Sequence, residues 1–187
     1  MRYPDEELTG ERVQTLQPTR LPLQFRRKTW NPAVFSLQYI MPNTIRIHRV
    51  LRAASEKVYR AFLNPEAMAK WLPPNGFTGK VHQMDAKVGG SHKMSFTNFG
   101  TGQSHSFGGT YLELVPHERI RHTDRFDDPN MPGEMQVAIT LKKVSCGTEL
   151  NIVQEGVPDV IPPEMCYLGW QESLILLAKL VEAEIPD

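Results

Sequence analysis

The sequence predicts an α+β domain in which a curved antiparallel sheet packs against one long helix. Between about residues 77 and 155, apolar and polar residues alternate with period two, which is typical of half-buried strands. In residues 163–185, apolar residues instead recur at steps of three or four, which places them on one side of a helix. At roughly 1.5 Å per residue this helix would span about 34 Å. A short helix cannot cover that length, so we expect a broad sheet beneath it.

The elements before the alternating region are a strand and two short helices. Residues 43–52 alternate as a strand does. Ser55 is predicted to cap the first helix, and Asn64 followed by Pro65 marks the start of the second. The proline- and glycine-containing segment 73–76 then ends helix formation.

Six further strands are predicted in the alternating region. They cover residues 77–85, 90–98, 105–115, 119–126, 134–144 and 148–155. The connections between them are short and mostly rich in glycine, proline, asparagine and aspartate, which are the residues that favour turns. Sequential strands joined in this way pair antiparallel, so we expect a meander.

The C-terminal helix is predicted from its apolar stripe and from the prolines that flank it. Pro162 and Pro163 suit a helix start, and Pro186 suits its end. The stripe predicted to face the sheet consists of Tyr167, Trp170, Leu174, Leu177, Val181 and Ile185.

Residues 1–42 are predicted to be a mostly disordered extension of a domain at residues 43–187. They hold five of the fifteen prolines, and their one alternating run, 34–40, could add an edge strand. Arg26 and Arg27 suggest a twin-arginine export signal, but Pro32 interrupts the segment and no cleavage site follows. Met41 directly precedes the domain, so we hypothesise that the natural polypeptide starts there.

Composition limits the classes of partner. Basic and acidic residues both total 21, and this zero net charge argues against a nucleic-acid partner. No run of about 18 apolar residues is present, so membrane insertion is not expected. Cys146 and Cys166 match no redox or disulfide pattern, which favours a reducing, cytoplasmic setting. The six histidines show no metal-ligand spacing, and neither a metal nor another cofactor is predicted.

Short motifs occur in a fixed order between residues 43 and 185. They are Arg49-Val-Leu-Arg-Ala53, Asn64-Pro65-Glu66, Lys70-Trp71 before Pro73-Pro74, Asp85-Ala-Lys-Val-Gly-Gly90, Gly109-Thr110-Tyr111-Leu-Glu113, Val115-Pro116-His-Glu118-Arg119, Gly147-Thr148 and Gly169-Trp170. As a set they resemble the family of homologues of the heat-shock-protein-90 ATPase activator. Leu72 stands where a second tryptophan is frequent and Ala54 where a proline is frequent, but neither departure affects the expected fold.

The resemblance implies the helix-grip fold of the START-like (SRPBCC) superfamily. In that fold a seven-stranded antiparallel sheet wraps around a C-terminal helix, with a cavity between them. Members of the superfamily bind lipids, sterols, polyketides or other hydrophobic molecules, and a few are cyclases or hydrolases.

Strand alternation indicates which side chains would face such a cavity. The predicted ligand-binding residues are His92, Met94, Phe96, Tyr111, His122, Phe126, Ile139, Tyr167, Trp170 and Leu174. His122, Asp124 and Glu113 are weaker candidates for acid–base catalysis, because a histidine oriented by a carboxylate can transfer protons. Tyr111 and Glu113 are expected to share one face of their strand.

Three functions are compatible with these observations. We expect first a non-enzymatic protein that binds a small hydrophobic molecule. The alternatives are a cyclase- or hydrolase-like enzyme using polar groups in the cavity, and a chaperone partner acting through its surface. Buried histidine and carboxylate groups facing one cavity would favour the enzyme, whereas an exposed patch without a cavity would favour the chaperone partner.

Overall fold

The computed structural model describes residues 43–185, which form seven strands and three helices in the predicted order. The elements are β1 (Ile45–Leu51), α1 (Ser55–Leu63), α2 (Pro65–Trp71), β2 (Phe77–Met84), β3 (Ser91–Asn98), β4 (Ser104–Val115), β5 (Arg119–Phe126), β6 (Met135–Val144), β7 (Gly147–Glu155) and α3 (Pro163–Val181). The predicted extension 1–42, with its run 34–40, lies outside the described residues, as does Pro186.

The seven strands form one antiparallel sheet with the order β1-β7-β6-β5-β4-β3-β2. Strands β2 to β7 follow one another as the predicted meander, and β1 pairs with β7 along its length, from Ile45 opposite Gln154 to Leu51 opposite Thr148. The sheet curls into a half-barrel around α3. The predicted helix-grip fold is therefore confirmed.

The two short helices pack together through one tryptophan. Trp71 at the end of α2 is fully buried, and its Nε1 donates to the Ala61 carbonyl of α1 at 2.9 Å. The Asn64 side chain accepts from the Ala67 amide at 2.8 Å and caps α2 as predicted. The predicted cap of α1 is wrong: Ser55 is already the first helical residue, and Ala54 at the N-cap offers no side-chain acceptor.

Helix α3 ends at Val181, four residues before the predicted end. The residues that follow bond instead to Arg52, directly after β1, and to Lys57 in α1. The Glu182 carboxylate accepts from the Arg52 amide at 3.0 Å, and the Ala183 carbonyl accepts from Lys57 Nζ at 2.8 Å. The prediction that Ile185 belongs to the buried stripe is therefore wrong, because its side chain is 84% exposed.

The main core lies between α1, the second half of α3 and strands β1, β6 and β7. Its fully buried members include Leu51, Val58, Leu150 and Leu177. None of the helices in the described part of the chain combines the length and apolar character needed to span a bilayer. The first half of α3 covers a different part of the sheet, where a cavity remains.

Candidate ligand-binding cavity

A cavity of about 400 Å³ lies between the first half of α3 and the inner face of the sheet, with α2 on one side. Five phenylalanines and five methionines line it, and methionine side chains adapt readily to the shape of what they contact. The apolar part of the wall is formed by Phe62, Met68, Leu72, Pro74, Phe77, Met94, Phe96, Phe107, Ile120, Phe126, Met131, Met135, Ile139, Ile161, Met165 and Trp170.

Small residues on α3 leave this space open. Cys166, Gly169 and Ser173 lie on its cavity side at steps of three and four. A Cβ atom added at Gly169 would meet only Pro74, at 4.0 Å. Three small side chains on one face fill little of the space between helix and sheet, whereas Leu174 and Leu177 further along are buried against the core.

One end of the cavity is lined by a row of phenylalanines across four strands. Neighbouring ring centroids lie 6.5 Å apart for Phe77 and Phe96, 4.9 Å for Phe96 and Phe107, and 5.9 Å for Phe107 and Phe126. We call Phe77, Phe96, Phe107 and Phe126 the aromatic row. The last two pairs pack edge to face, as aromatic rings prefer, and the row forms a continuous apolar surface.

The other end carries a group of polar side chains. His92 Nε2 lies 2.9 Å from Asp124 Oδ1, and His122 Nδ1 lies 3.5 Å from Asp124 Oδ2. The two imidazole rings meet edge to face at 4.9 Å, and the Tyr111 ring lies 5.1 Å from His92. We call His92, Tyr111, His122 and Asp124 the polar cluster.

The polar cluster and the aromatic row are separated by the same number of residues on three strands. His92 precedes Phe96 by four residues on β3, and His122 precedes Phe126 by four on β5. Tyr111 follows Phe107 by four on the antiparallel β4. At about 3.3 Å per residue, the two groups lie ~13 Å apart along the strands. The cavity is thus polar at one end and aromatic at the other.

Two glycines bring β3, β4 and β5 together beside the polar cluster. A Cβ atom at Gly108 would lie 2.3 Å from the His92 carbonyl oxygen, and one at Gly109 would lie 1.9 Å from the Thr123 carbonyl oxygen. Real Cβ atoms cannot approach so closely, so only glycine permits this spacing. The Thr110 amide donates to Thr123 Oγ1 at 3.2 Å in the same place.

The proton position on His122 follows from its neighbours. Nδ1 lies 3.1 Å from the Thr123 carbonyl oxygen, which can only accept, so Nδ1 carries the proton and Nε2 carries the lone pair. Nε2 has no hydrogen-bond partner among the described residues, and it is not among the side-chain atoms that are buried without a partner. Because His122 lines the cavity, we infer that Nε2 opens to it. Burial lowers the pKa of His122, although Asp124 opposes this, and the ring is therefore neutral at pH 7.

His92 has the opposite arrangement. The Asp124 carboxylate accepts from Nε2, so Nε2 carries the proton, and Nδ1 is buried without a partner among the described residues. The Tyr111 hydroxyl keeps its proton, because burial and the nearby Asp124 charge raise its pKa to about 12. The cluster therefore offers an acceptor on His122, a phenolic donor on Tyr111 and the second carboxylate oxygen of Asp124, which lies 3.5 Å from His122 Nδ1.

His92, His122 and Asp124 also have donor atoms within 4.8 Å of one another, close enough to hold a metal ion. The histidine nitrogens beside Asp124 carry protons in the present arrangement, so binding an ion through them would require their loss. The sequence predicts no metal here because the ligand spacing arises only from the pairing of β3 with β4 and of β4 with β5.

A second polar group joins α3 to β7 at the cavity wall. Gln154 Oε1 accepts from Trp170 Nε1 at 2.6 Å, and the Cys166 thiol lies 3.4 Å from the same oxygen. Burial raises the pKa of Cys166 to about 11, so its thiol is protonated and a poor nucleophile at neutral pH. This group fixes the helix rather than offering a reactive atom.

Eight of the ten residues predicted to bind a ligand lie on the cavity wall. They are His92, Met94, Phe96, Tyr111, His122, Phe126, Ile139 and Trp170. The other two lie elsewhere: Tyr167 is 43% exposed, and Leu174 is buried in the core with 1% exposure. The helix presents Cys166 rather than Tyr167 to the cavity.

Glu113 is not close to Asp124 and His122 on the inner face. The pairing of β4 with β5 shifts between Tyr111 and Glu113, so Leu112 is an extra residue that turns the following side chains over. Tyr111 faces the cavity, whereas Glu113 lies 3.5 Å from Arg119 and 3.9 Å from Arg121 on the outer face. The expectation that Tyr111 and Glu113 share a face is therefore wrong.

Several cavity residues were not predicted from the sequence. Alternation along β4 could have identified Phe107, because it lies four positions before Tyr111 and therefore on the same face of the strand. The small residues at positions 166, 169 and 173 were a second usable signal. No sequence signal could have identified Gln154, because its place on the wall depends on its hydrogen bond to Trp170.

Comparison with known proteins agrees with the fold and the motifs. The family model described as "Activator of Hsp90 ATPase homolog 1-like protein" matches residues 52–182. The chain belongs to this family. No curated protein sequence matches the chain significantly.

Solved structures of other proteins share the architecture. A crystal structure of a Chromobacterium violaceum protein is 66% identical, with 77% of this chain and 100% of that chain covered and a TM-score of 0.76. A Rhodobacter sphaeroides protein at 20% identity covers 74% of this chain and 91% of its own, with a TM-score of 0.66. A Staphylococcus epidermidis protein at 18% identity covers 78% and 94%, with a TM-score of 0.65. The last two show similarity of fold alone.

Proposed function

We propose that the protein binds a small hydrophobic molecule in the cavity between the sheet and α3. The observation that supports this most is the cavity itself, about 400 Å³ in volume and mostly apolar in lining. Small-molecule sites are typically concave, apolar and roughly 300–1,000 Å³ in volume, with a few polar groups that orient the ligand. Apolar surface withdrawn from water would supply the affinity, at roughly 25 cal/mol per Å² before association costs are subtracted.

Titration of isotope-labelled full-length protein tests this proposal. The ligands are a fatty acid, a sterol and an aromatic polyketide. Binding in the cavity should shift the amide signals of Gly169, Trp170 and the inward-facing residues of β3, which are His92, Met94 and Phe96, and leave those of residues 178–181 nearly unchanged. Shifts confined to outward-facing positions such as Lys93 and Arg121 would contradict the proposal.

An enzyme is the second candidate, and the polar cluster is the observation that favours it. A neutral His122 whose Nδ1 proton is held by the Thr123 carbonyl has the form of a general base directed at the cavity. Nε2 could take a proton from carbon beside a carbonyl group, and the Tyr111 hydroxyl could donate to the enolate oxygen. The Cys166 thiol is protonated, and the Ser173 hydroxyl donates to the Leu72 carbonyl at 2.6 Å. Proton abstraction is thus better supported than attack by a nucleophilic side chain.

Deuterium exchange tests the enzyme candidate. In D₂O, 2-tetralone should incorporate deuterium beside its carbonyl faster with the protein than in buffer. His122→Phe should lose this acceleration, because phenylalanine cannot accept the proton. Equal exchange with wild type, His122→Phe and buffer would rule out this chemistry for the cavity.

A chaperone partner remains the third candidate. Exposed apolar side chains on α3, at Met165, Leu168 and Ile175, provide a surface for it. This candidate was expected to have an apolar patch and no cavity, and the cavity favours ligand binding over it. Leu168→Lys separates the two: it should weaken a surface interaction and leave ligand titrations unchanged.

A further inference from the structure

We infer that the ligand is an uncharged, elongated molecule with a hydroxyl group at one end, which donates to Nε2 of His122 while its apolar body extends to the aromatic row. This inference rests on the proposed function and adds the chemical class of the ligand. It follows from three features of the cavity: the position of its polar groups, the bonds they have already made, and its charge.

The first feature is the separation of polar and apolar groups. The polar cluster and the aromatic row lie ~13 Å apart, as judged from four residues on each of three strands. A ligand that fills the cavity therefore places one end among polar atoms and the other among phenylalanine rings. An apolar body with a single terminal polar group matches that distribution.

The second feature is that few polar atoms on the wall remain free. Gln154 accepts from Trp170 at 2.6 Å, and Ser173 donates to the Leu72 carbonyl at 2.6 Å. His92 Nδ1 is buried out of reach of the cavity. The wall atoms without a hydrogen-bond partner among the described residues include the His122 lone pair, the Tyr111 hydroxyl and Asp124 Oδ2. The first two belong to neighbouring rings, whose centroids lie 6.1 Å apart.

An acceptor beside a donor matches a ligand hydroxyl, which can donate to one and accept from the other. The neutral state of His122 and the retained proton of Tyr111 keep this pair in the required form near pH 7. A ligand without a donor would leave the Nε2 lone pair desolvated and unpaired, which reduces affinity.

The third feature is the charge of the wall. No lysine or arginine lines the cavity within the described residues, whereas the Asp124 carboxylate does. The other titratable groups on the wall are His92, His105, His122, Tyr111 and Cys166. A ligand carboxylate would therefore meet a like charge and no fixed positive charge, which disfavours free fatty acids.

Three probes with one apolar body test the inference: biphenyl, 4-phenylphenol and biphenyl-4-carboxylate. Dissociation constants are measured at pH 7.5 by titration of the labelled full-length protein. We expect 4-phenylphenol to bind about three- to tenfold more tightly than biphenyl, as one net hydrogen bond allows. The carboxylate should bind at least about tenfold more weakly than 4-phenylphenol.

Two variants assign the preference to the polar cluster. His122→Phe keeps a ring and removes the acceptor, so 4-phenylphenol should fall to the affinity of biphenyl while biphenyl binding stays within about twofold. Tyr111→Phe removes one hydroxyl and should reduce the same preference. If His122→Phe does not fold, the affinities of the wild type and of Tyr111→Phe for the three probes test the inference instead.

Two results would overturn the inference and leave the proposed function intact: equal binding of biphenyl and 4-phenylphenol by the wild type, or tightest binding of the carboxylate. Binding of none of the three probes would overturn the proposed function and this inference together.

Discussion

At the scale of single residues, His122 has the most informative environment. It is enclosed by Asp124 on its own strand, His92 on β3 and Tyr111 on β4, and burial outweighs Asp124 in setting its pKa. A histidine held neutral in this way takes up its proton more readily in the unfolded chain than in the folded one. Its titration therefore affects the stability of the fold.

We predict that His122 makes the protein less stable as pH falls below 6.5, its ordinary pKa. The unfolded state binds the proton first, so the free energy of unfolding decreases between pH 6.5 and the lowered pKa of the folded state. His122→Phe should lose less stability than the wild type between pH 7.5 and pH 5, measured by urea unfolding. An identical loss in both proteins would show that burial does not control this histidine.

Residue-level sequence patterns predicted much of the cavity wall, because alternation has a period of two and one face of each strand is buried. That is why Met94, Phe96 and Phe126 were placed correctly on the inner face. The pattern failed at Glu113, where Leu112 forms a bulge that alternation cannot show. It failed at Tyr167 because small Cys166 and Ser173 carry little apolar signal, and the predicted stripe followed the aromatic residue instead.

At the scale of elements, the pairing of β1 with β7 joins distant parts of the chain, and the seven-stranded sheet was expected only from the family resemblance. The order and type of the described elements, and the meander of β2 to β7, were predictable from local patterns. The distance between His92 and Asp124 was not. It depends on the pairing of β3, β4 and β5, which is set by the close approach at Gly108 and Gly109. Sites that span several strands depend on such register, and a single strand carries no signal for it.

The glycine contact gives a prediction for β4. Gly109→Ala should reduce the free energy of unfolding by about 1–3 kcal/mol, because the added methyl group overlaps the Thr123 carbonyl and forces the strands apart. Gly100→Ala is the matched control, since its Cβ meets only a side-chain oxygen of Asn98 at 3.4 Å. Denaturant unfolding of both variants checks this, and equal stability would show that the strands can separate without cost.

The helices give a second prediction at this scale. Trp71→Ala should cost on the order of 3–5 kcal/mol, because the side chain is fully buried and joins α2 to α1. Trp170→Ala should cost about half as much, because Trp170 is only half-buried and lines the cavity. Urea unfolding gives both values, and the reverse order would mean that the first half of α3 is packed as tightly as the core.

At the scale of the whole molecule, the ten elements and the core of the part of the chain that the structure describes lie between Ile45 and Val181. We predict that deletion of residues 1–40 leaves the melting temperature unchanged within about 1 °C, because the sheet and helices retain all these contacts. Differential scanning calorimetry compares the two chains. A loss of several degrees would instead support the prediction that residues 34–40 add an edge strand.

The whole fold has a packed half and a cavity half, and both are covered by one helix. Leu174, Leu177 and Val181 close the packed half, whereas Cys166, Gly169 and Ser173 leave the other half open. If the open half is the binding site, filling it from α3 should remove binding without disturbing the packed half. The two cysteines provide the comparison, because Cys166 lines the cavity and Cys146 is exposed in the turn between β6 and β7.

The most direct test of ligand binding is the affinity of the full-length protein for 4-phenylphenol after the same substitution at these two cysteines. Cys166→Phe places a ring in the cavity and should weaken binding at least about tenfold. Cys146→Phe should bind as the wild type does, and circular dichroism should show that both variants are folded. Wild-type affinity in a folded Cys166→Phe protein would contradict the account, because the ligand would then bind outside the cavity.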